Sequence, residues 1–249
     1  ADRSAVEALL AVVGRVDAVV HAAGVGEDVA LVDADEAHLD RVIRGKVDGA
    51  LHLDALVGTD LDAFVVFSSI SGVWGSGEQA AYGAANAALD ALVARRRAQG
   101  LPGTAVAWGP WARVGMAADD ETATQLRRRG LSPMNPARAL AALASAVGSG
   151  EAAVTVADVR WADFLPLFTA SRARPFFDRL PEAAESAAAP ESNSGLAARL
   201  AGLSSAERQR TVLELVRAEV AAVLGHASAG AVEASRAFKE LGFDSLTAV

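Results

Sequence analysis

Short continuous apolar runs alternate with longer segments of helical period along most of the chain. The apolar runs predict buried strands over residues 16–21, 63–67, 103–108 and 152–156. Apolar residues at three- and four-residue spacing predict helices over residues 2–13, 35–56, 79–99 and 136–147, with a further short helix ending at residue 129. Strands that alternate with helices indicate an α/β fold with a doubly wound parallel sheet.

The same pattern predicts which side chains point inward. The first helix is expected to bury one face, made of Val6, Leu9, Leu10 and Val13. The long helix over residues 35–56 is expected to turn one row of side chains toward the core: Leu39, Val42, Ile43, Val47 and Leu51. The acidic stretch at residues 118–121 predicts a mobile loop over a cleft, and the apolar segments 161–168 and 175–180 are expected to close the core.

Residues 181–195 differ in composition from the segments on either side. They are mostly Ala, Glu, Ser and Pro, with little to bury, which is typical of a linker. Helical period resumes over residues 196–224, and residues 231–238 are expected to form a loop. We therefore expect a catalytic region at 1–180, a linker at 181–195 and a further helical domain from 196 to 249.

Composition limits the classes of function. The 249 residues are 52% hydrophobic and 22% charged, which suits one or two globular domains. A net charge of −8 without a basic patch argues against nucleic acid or an anionic membrane as a partner. Cysteine is absent, and no group of metal ligands is recognisable, so no metal is expected. Neither a signal peptide nor an apolar run of about 18 residues is found, which indicates a cytoplasmic location.

The stretch from residue 63 to residue 97 carries the residues best suited to chemistry. It reads as strand, loop and helix, and ligands of open α/β sheets bind at the carboxyl ends of strands. Ser69 closes the strand, and Tyr82, the only tyrosine, follows thirteen residues later. Asn86 lies one helical turn beyond Tyr82, on the same face. Ser68 is the weaker candidate, because neighbouring strand residues face opposite ways.

This serine-to-tyrosine spacing resembles that of the short-chain dehydrogenase/reductase superfamily. Most of its members carry lysine where this chain has Asn86, and here the ammonium group would come from Lys46 in Gly-Lys-Val-Asp-Gly-Ala. With asparagine after the tyrosine and lysine in the earlier motif, the chain resembles the ketoreductase domains of modular type I polyketide synthases. The resemblance implies a Rossmann-like sheet and NADPH-dependent reduction of a carrier-bound β-ketoacyl thioester to a β-hydroxyacyl thioester. Tyr82 would then be the acid, Ser69 a donor to the carbonyl oxygen, Lys46 the group that lowers the tyrosine pKa, and Asn86 the residue that holds the lysine or a water.

The resemblance also implies where NADPH would bind. The cofactor-binding residues would be His21, Ala22, Ala23, Gly24, Lys46, Tyr82, Trp108, Gly109 and Pro110. A glycine-rich turn after the first strand normally binds the cofactor phosphates. The run from Gly75 to Ala80 is a poor match, because it lies inside the serine-to-tyrosine loop and lacks an acidic partner for the ribose. We therefore expect the phosphate-binding turn and the amino-terminal strands on a preceding reductase segment.

Three residues are predicted to orient the substrate: Trp74, Gln79 and Met116. In the resembled family, a tryptophan eight residues before the tyrosine marks A-type reductases, which give an L-hydroxyl product. The Leu-Asp-Asp marker of the B type is replaced here by Gly26-Glu27-Asp28, and Gln79 is not the histidine associated with an epimerised substrate. The pattern therefore resembles subtype A1.

The end of the chain, Leu-Gly-Phe-Asp-Ser-Leu, resembles the start of an acyl carrier protein. Ser245 would be the attachment site for 4'-phosphopantetheine, because a phosphate on a serine that opens a helix meets the positive helix end. Residues 196–249 would then be a truncated carrier domain. The implied partners are a carrier-tethered polyketide intermediate and the other domains of a homodimeric synthase.

Other interpretations of these residues remain open. Taken singly, Tyr82 is a partly buried helix aromatic, Ser69 a strand-end cap, His21 a core histidine and Trp74 a core tryptophan. Two further functions fit a reductase fold: a structural domain without redox activity, and a free-standing short-chain alcohol dehydrogenase. The joint spacing of the serine, tyrosine and lysine favours the polyketide reductase.

Overall fold

Four parallel strands form the centre of the structure. The computed structural model describes residues 2–117, 119–170, 174–188, 200–224 and 228–237. The sheet has the order β1-β2-β3-β5, with β1 at Ala18–His21, β2 at Ala63–Ser69, β3 at Thr104–Trp108 and β5 at Ala153–Val156. A short antiparallel pair that the sequence did not predict joins β4 (Leu131–Ser132) to β6 (Asp158–Val159). The predicted α/β fold with a parallel sheet is confirmed.

Helices occupy most intervals between the strands. They are α1 Arg3–Val13, α2 Glu36–Ile43, α3 Gly49–Leu56, α4 Ile70–Val73, α5 Ala80–Ala98, α6 Asp120–Arg128, α7 Pro136–Gly148, α8 Trp161–Thr169, α9 Pro181–Ala188 and α10 Ser205–Leu224. Turns of 3-10 helix lie at Gly115–Ala117, Pro175–Phe177 and Ala229–Ala231. A turn of π-helix, Arg44–Asp48, joins α2 to α3.

Short polar side chains fix where several helices begin. Asp2, Asp35 and Asn135 each accept a hydrogen bond from a backbone N–H in the first turn of the following helix. Asp119 does the same for α6, accepting from the Thr122 N–H at 2.8 Å. The prediction of a mobile acidic loop at 118–121 is therefore wrong for its last part, because acidic residues stabilise the positive end of a helix.

The largest group of buried side chains lies around β2. Phe64 and Val66 of this strand pack with Leu89 of α5, and all three are at most 1% exposed. Arg96 is also fully buried: its guanidinium lies 4.1 Å from the centre of the Phe64 ring. It pairs with Asp54, and its Nε donates to the carbonyl of the loop after α5. A buried arginine with these partners links α3, α5 and the sheet.

Two of the predicted inward faces are wrong in part. Leu9 and Val13 of α1 are 57% and 56% exposed, so only the Val6 and Leu10 side is partly covered. Leu39 and Leu51 are both 38% exposed, whereas Val42 between them is fully buried. The π-helical turn accounts for the exposure of Leu51, because it changes the helical register between α2 and α3. Leu39 precedes this turn, so its exposure shows only that this side of α2 is incompletely covered.

Two compact units are recognisable, Ala1–Phe164 and Leu165–Val249. In the second, Phe168 and Phe177 contact each other with ring centres 5.0 Å apart, and Val220, Ala221 and Val232 pack together. The first half of the predicted linker forms α9, with Ala183 buried, because alanine and glutamate favour helix. Ser245 lies outside the described residues, and the functional division of the chain stays a prediction.

Within the described segments, none of the helices combines the length and apolar character needed to cross a bilayer.

Candidate active site

The carboxyl ends of β1, β2 and β3 meet at one edge of the sheet. Ser69 ends β2 opposite Trp108, the last residue of β3. Its Oγ accepts a hydrogen bond from the Ser71 N–H at 3.2 Å, so Ser69 also caps α4. Ser68 faces the other way: it is buried, and its Oγ donates to the Asn86 carbonyl at 3.4 Å. The predicted difference between the two serines is therefore present.

Tyr82 lies in the first turn of α5 and is 7% exposed. Burial raises the pKa of its phenol, whereas the side chains of Asn86 and Ser69 act to lower it. In the protein alone the pKa of Tyr82 is raised, because the loss of water outweighs the hydrogen bonds, and its lowering by the ammonium together with a cofactor hydroxyl stays a prediction. Tyr82 is neutral at pH 7 and can donate its proton.

Lys46 is brought to this tyrosine by the π-helical turn. It is 3% exposed, its Nζ donates to the Phe67 carbonyl at 3.0 Å, and it lies 5.2 Å from the centre of the Tyr82 ring. The predicted long helix over 35–56 is present as α2, this π-helical turn and α3, and the wider turn places Lys46 inward. Burial lowers the pKa of Lys46 to about 8, and the negative charge of Asp90 opposes this change.

Asn86 is fully buried on the same face of α5 as Tyr82. Its Nδ2 donates to the Tyr82 carbonyl at 2.7 Å, while its Oδ1 has no hydrogen-bond partner in the described part of the chain. The prediction that Asn86 holds the lysine is not met, because the Lys46 ammonium bonds to the Phe67 carbonyl. The free Oδ1 remains an acceptor for a water or a ligand.

The end of β1 supports Lys46 from the other side. The His21 Nε2 donates to the Lys46 carbonyl at 2.7 Å, and burial lowers the pKa of this imidazole. Ala22 and Ala23 lead to Gly24, where an added Cβ would lie 3.0 Å from the Lys46 Nζ. A side chain at residue 24 would therefore crowd the ammonium group.

The end of β3 is largely an aromatic core. Phe67, Trp108 and Trp111 pack with ring centres between 4.9 and 6.2 Å apart. The Trp108 Nε1 is buried without a hydrogen-bond partner among the described residues. Gly109 packs closely on the loop after β5, and the Pro110 carbonyl accepts from the Met134 N–H at 2.8 Å. These residues border the same sheet edge as the catalytic candidates.

Of the three predicted substrate-orienting residues, Trp74 and Gln79 lie in the connection between α4 and α5, and Met116 lies in the 3-10 turn Gly115–Ala117. The edge of the Trp74 ring contacts Phe164, with centres 5.9 Å apart. The Gln79 Nε2 donates to the Asp28 Oδ1 at 2.9 Å, so the loop after β1 is tied to the start of α5. Met116 contacts that same loop at Gly26, where an added Cβ would lie 2.5 Å from its sulfur. The sequence analysis missed Asp28 as the partner of Gln79.

Comparison with known proteins agrees with this geometry. Residues 1–113 match the family model of the KR domain. The chain is 53% identical over 236 residues, 92% of its length, to the polyketide synthase GfsA of Streptomyces halstedii. It also matches a solved A1-type ketoreductase at 41% identity and a TM-score of 0.72, covering 75% of this chain and 40% of that one.

The chain belongs to the KR domain family of polyketide synthases. Overall likeness does not separate the subtypes of this family. A C2-type ketoreductase from a modular polyketide synthase also matches at 41% identity, with a TM-score of 0.68 over 74% of this chain and 40% of that one. The KR chain described here spans 3% of GfsA and about two fifths of the two solved ketoreductases.

Asp90 is the other residue of this KR site that the sequence analysis overlooked. It is half-buried on α5, and burial raises the pKa of its carboxyl group, while the Ser68 hydroxyl and the Lys46 charge lower it. Its position one helical turn after Asn86 was the available signal.

Proposed function

We propose that this chain forms the catalytic part of an NADPH-dependent β-ketoacyl reductase within a modular polyketide synthase. The observation that carries the proposal is the convergence of Tyr82, Ser69 and Lys46 at one edge of the sheet. A phenol that is neutral at pH 7, a hydroxyl beside it and a nearby ammonium are the groups that ketone reduction needs.

Each of these groups has a distinct task. Tyr82 donates its phenolic proton to the carbonyl oxygen of the substrate, which becomes the β-hydroxyl. The Ser69 hydroxyl donates a hydrogen bond to that oxygen and orients it. The Lys46 ammonium stabilises the phenolate left on Tyr82 and so speeds the return of a proton from water.

The residues at this edge of the sheet fit NADPH, which supplies a hydride to the carbonyl carbon of the substrate when it is bound. The unpartnered Asn86 Oδ1 offers an acceptor, and the missing side chain at Gly24 leaves room beside the Lys46 Nζ. His21 to Gly24, Lys46, Tyr82 and the segment from Trp108 to Pro110 would hold the cofactor. We propose that its phosphates bind a preceding reductase segment, as the resemblance implies.

We further propose that the substrate arrives on an acyl carrier protein in a homodimeric synthase. The last residues around Ser245 support this, because Asp-Ser-Leu resembles a phosphopantetheine attachment site. Treatment of a complete carrier domain with a phosphopantetheinyl transferase should add the arm at Ser245, which mass spectrometry of the digested protein would locate. Modification at another residue would contradict the assignment.

The proposed product is the L-hydroxyl thioester of an A1-type reductase. Trp74, Gln79 and the absence of a Leu-Asp-Asp stretch support this, whereas likeness to solved structures does not decide it. Chiral chromatography of the hydroxyacyl product would test the prediction, and a D-hydroxyl product would refute it.

The activity itself can be tested with the reductase that contains these residues together with its amino-terminal segment. NADPH oxidation in the presence of a β-ketoacyl thioester should be measurable by absorbance. Tyr82→Phe is expected to lower kcat roughly 10²- to 10⁴-fold at unchanged stability. Ser76→Ala, in the exposed loop before Tyr82, is the matched control and should keep full activity. Absence of turnover in the unmodified reductase would favour a structural role for the fold.

A further inference from the structure

Asp90 is a half-buried carboxylate that the proposed chemistry does not use. It lies four residues after Asn86 and eight after Tyr82, so the three residues share one face of α5. This helix packs against the π-helical turn that carries Lys46 and against β2. Burial disfavours a charged carboxylate unless neighbouring groups stabilise it.

Two neighbouring groups do stabilise the ionised form of Asp90. Burial raises the pKa of Asp90, and the Ser68 hydroxyl and the Lys46 ammonium both act in the opposite direction. Ser68 is 3% exposed and follows Phe67, whose carbonyl accepts the hydrogen bond from Lys46. Asp90 on α5, Ser68 on β2 and Lys46 on the π-helical turn therefore lie on elements that pack together, since α5 contacts both of the others.

His21 and Tyr82, which lie beside Lys46, do not supply a negative charge to it. Burial lowers the pKa of His21 and raises the pKa of Tyr82, so both are neutral at pH 7. The acidic side chains of neighbouring segments, Glu27, Asp40 and Asp54, each pair with an arginine. The Asp90 carboxylate on α5 carries a negative charge that opposes the effect of burial on the ammonium group.

The two charges act on each other without direct contact. Across the described segments Lys46 forms no salt bridge, and its Nζ instead donates to the Phe67 carbonyl 3.0 Å away and lies 5.2 Å from the centre of the Tyr82 ring. A carboxylate in contact would bind the ammonium through a strong charged hydrogen bond and draw it from the tyrosine. At a longer distance the attraction still favours the charged lysine, because the protein interior screens charge weakly.

We propose that Asp90 is a positioning residue that keeps Lys46 charged and in place beside Tyr82. The catalytic consequence rests on the proposed function, but the coupling of the two charges is a property of the folded chain. It can therefore be measured without substrate or cofactor.

Selective ¹³C labelling of lysine Cε gives a direct measurement, because the chain has two lysines, Lys46 and Lys239. Lys239→Arg identifies the second signal. Titration by NMR is expected to show the pKa of Lys46 falling by about one pH unit in Asp90→Asn. Asp90→Glu, which keeps the charge, should restore most of the difference, and exposed Asp60→Asn should leave the Lys46 signal unchanged. An unchanged Lys46 pKa in folded Asp90→Asn would overturn the proposal.

A reverse measurement on a second variant keeps the proposal testable if Asp90→Asn does not fold. Coupling between two sites is reciprocal, so Lys46→Met is expected to raise the pKa read from the Asp90 carboxyl signal. A constant Asp90 pKa in that variant would also overturn the proposal.

Activity supplies the last readout. Asp90→Asn should lower turnover about fivefold at pH 8, where the charged fraction of Lys46 falls from about one half to about one tenth, and should change it little at pH 6. An equal loss at both pH values would indicate a structural role instead and contradict the proposal. Absence of turnover in the unmodified reductase would refute the proposed function and leave the NMR result unaffected.

Discussion

Replacement of Lys46 by methionine should make the protein more stable while it removes the catalytic ammonium. Burial lowers the pKa of Lys46 from 10.5 to about 8, so the folded state holds the charged form at a disadvantage. This difference corresponds to about 3 kcal/mol at pH 7. Methionine has a similar length and no charge to bury, but it loses the hydrogen bond to the Phe67 carbonyl, which contributes roughly 1–2 kcal/mol. The expected net gain in the free energy of unfolding is therefore about 1–2 kcal/mol.

The gain should depend on pH in a defined direction. Because the folded-state pKa is lowered, the unfolded chain binds more protons between about pH 8 and pH 10.5, and the stability of the unmodified protein rises across that window. Lys46→Met lacks this rise. Its advantage should be fully present below about pH 8 and should disappear as the pH approaches 10.5.

Urea unfolding followed by tryptophan fluorescence at pH 7 and pH 10 would measure both effects. Arg15→Met is a suitable control, since Arg15 is an exposed cation whose side chain is 81% accessible and its loss should change stability little. The reasoning would be refuted by a Lys46→Met protein that is less stable than the unmodified protein at pH 7 and shows the same difference at pH 10. Loss of turnover in the same variant would show that the stabilising change removes function.

Three further predictions concern packing. Gly130→Ala should lower the free energy of unfolding by about 3 kcal/mol or more, because residue 130 has φ of 78° and the new Cβ would lie 2.6 Å from a backbone atom. Gly14→Ala has a similar φ of 75° but open space around the new Cβ, so it should cost about 1 kcal/mol, and thermal unfolding would compare the two variants. Arg96→Ala should lower the free energy of unfolding by roughly 3 kcal/mol, because it removes a fully buried side chain that packs on the Phe64 ring and pairs with Asp54, whereas loss of the half-exposed Arg95 should cost less than about 1 kcal/mol; urea titration would compare them. Gly24→Ala should lower kcat roughly 10- to 100-fold without loss of stability, because its methyl group would displace the catalytic ammonium.

Local patterns in the sequence were sufficient for most elements of the fold. The apolar runs located the four parallel strands, and the periodic segments located α5 and α7 to within a residue or two. The spacing of Ser69 and Tyr82, with Lys46 in its own short motif, indicated the KR family, which the comparisons confirm. These features could be predicted because hydrophobic periodicity, helix propensity and motif spacing depend on residues that are close together along the chain.

Other features depend on contacts between distant segments. The pattern of residues 35–56 predicts one long helix, whereas the π-helical turn within it, which contacts α5 and carries Lys46 inward, is seen only in the folded structure. The exposed side of α1 differs from its prediction for a related reason, since periodicity defines an apolar face but not the segment that covers it.

The charges of the site likewise depend on tertiary structure. The sequence identified Tyr82 and Lys46, but not that burial would raise one pKa and lower the other, nor that the charge of Asp90 would act on the lysine. Sequence alone therefore determined the order of strands and helices, the family and the main catalytic candidates. The tertiary structure decided how Lys46 comes to lie over the Tyr82 ring and how far each pKa is shifted, because the energy of a charge depends on the water and the partners that folding removes or supplies.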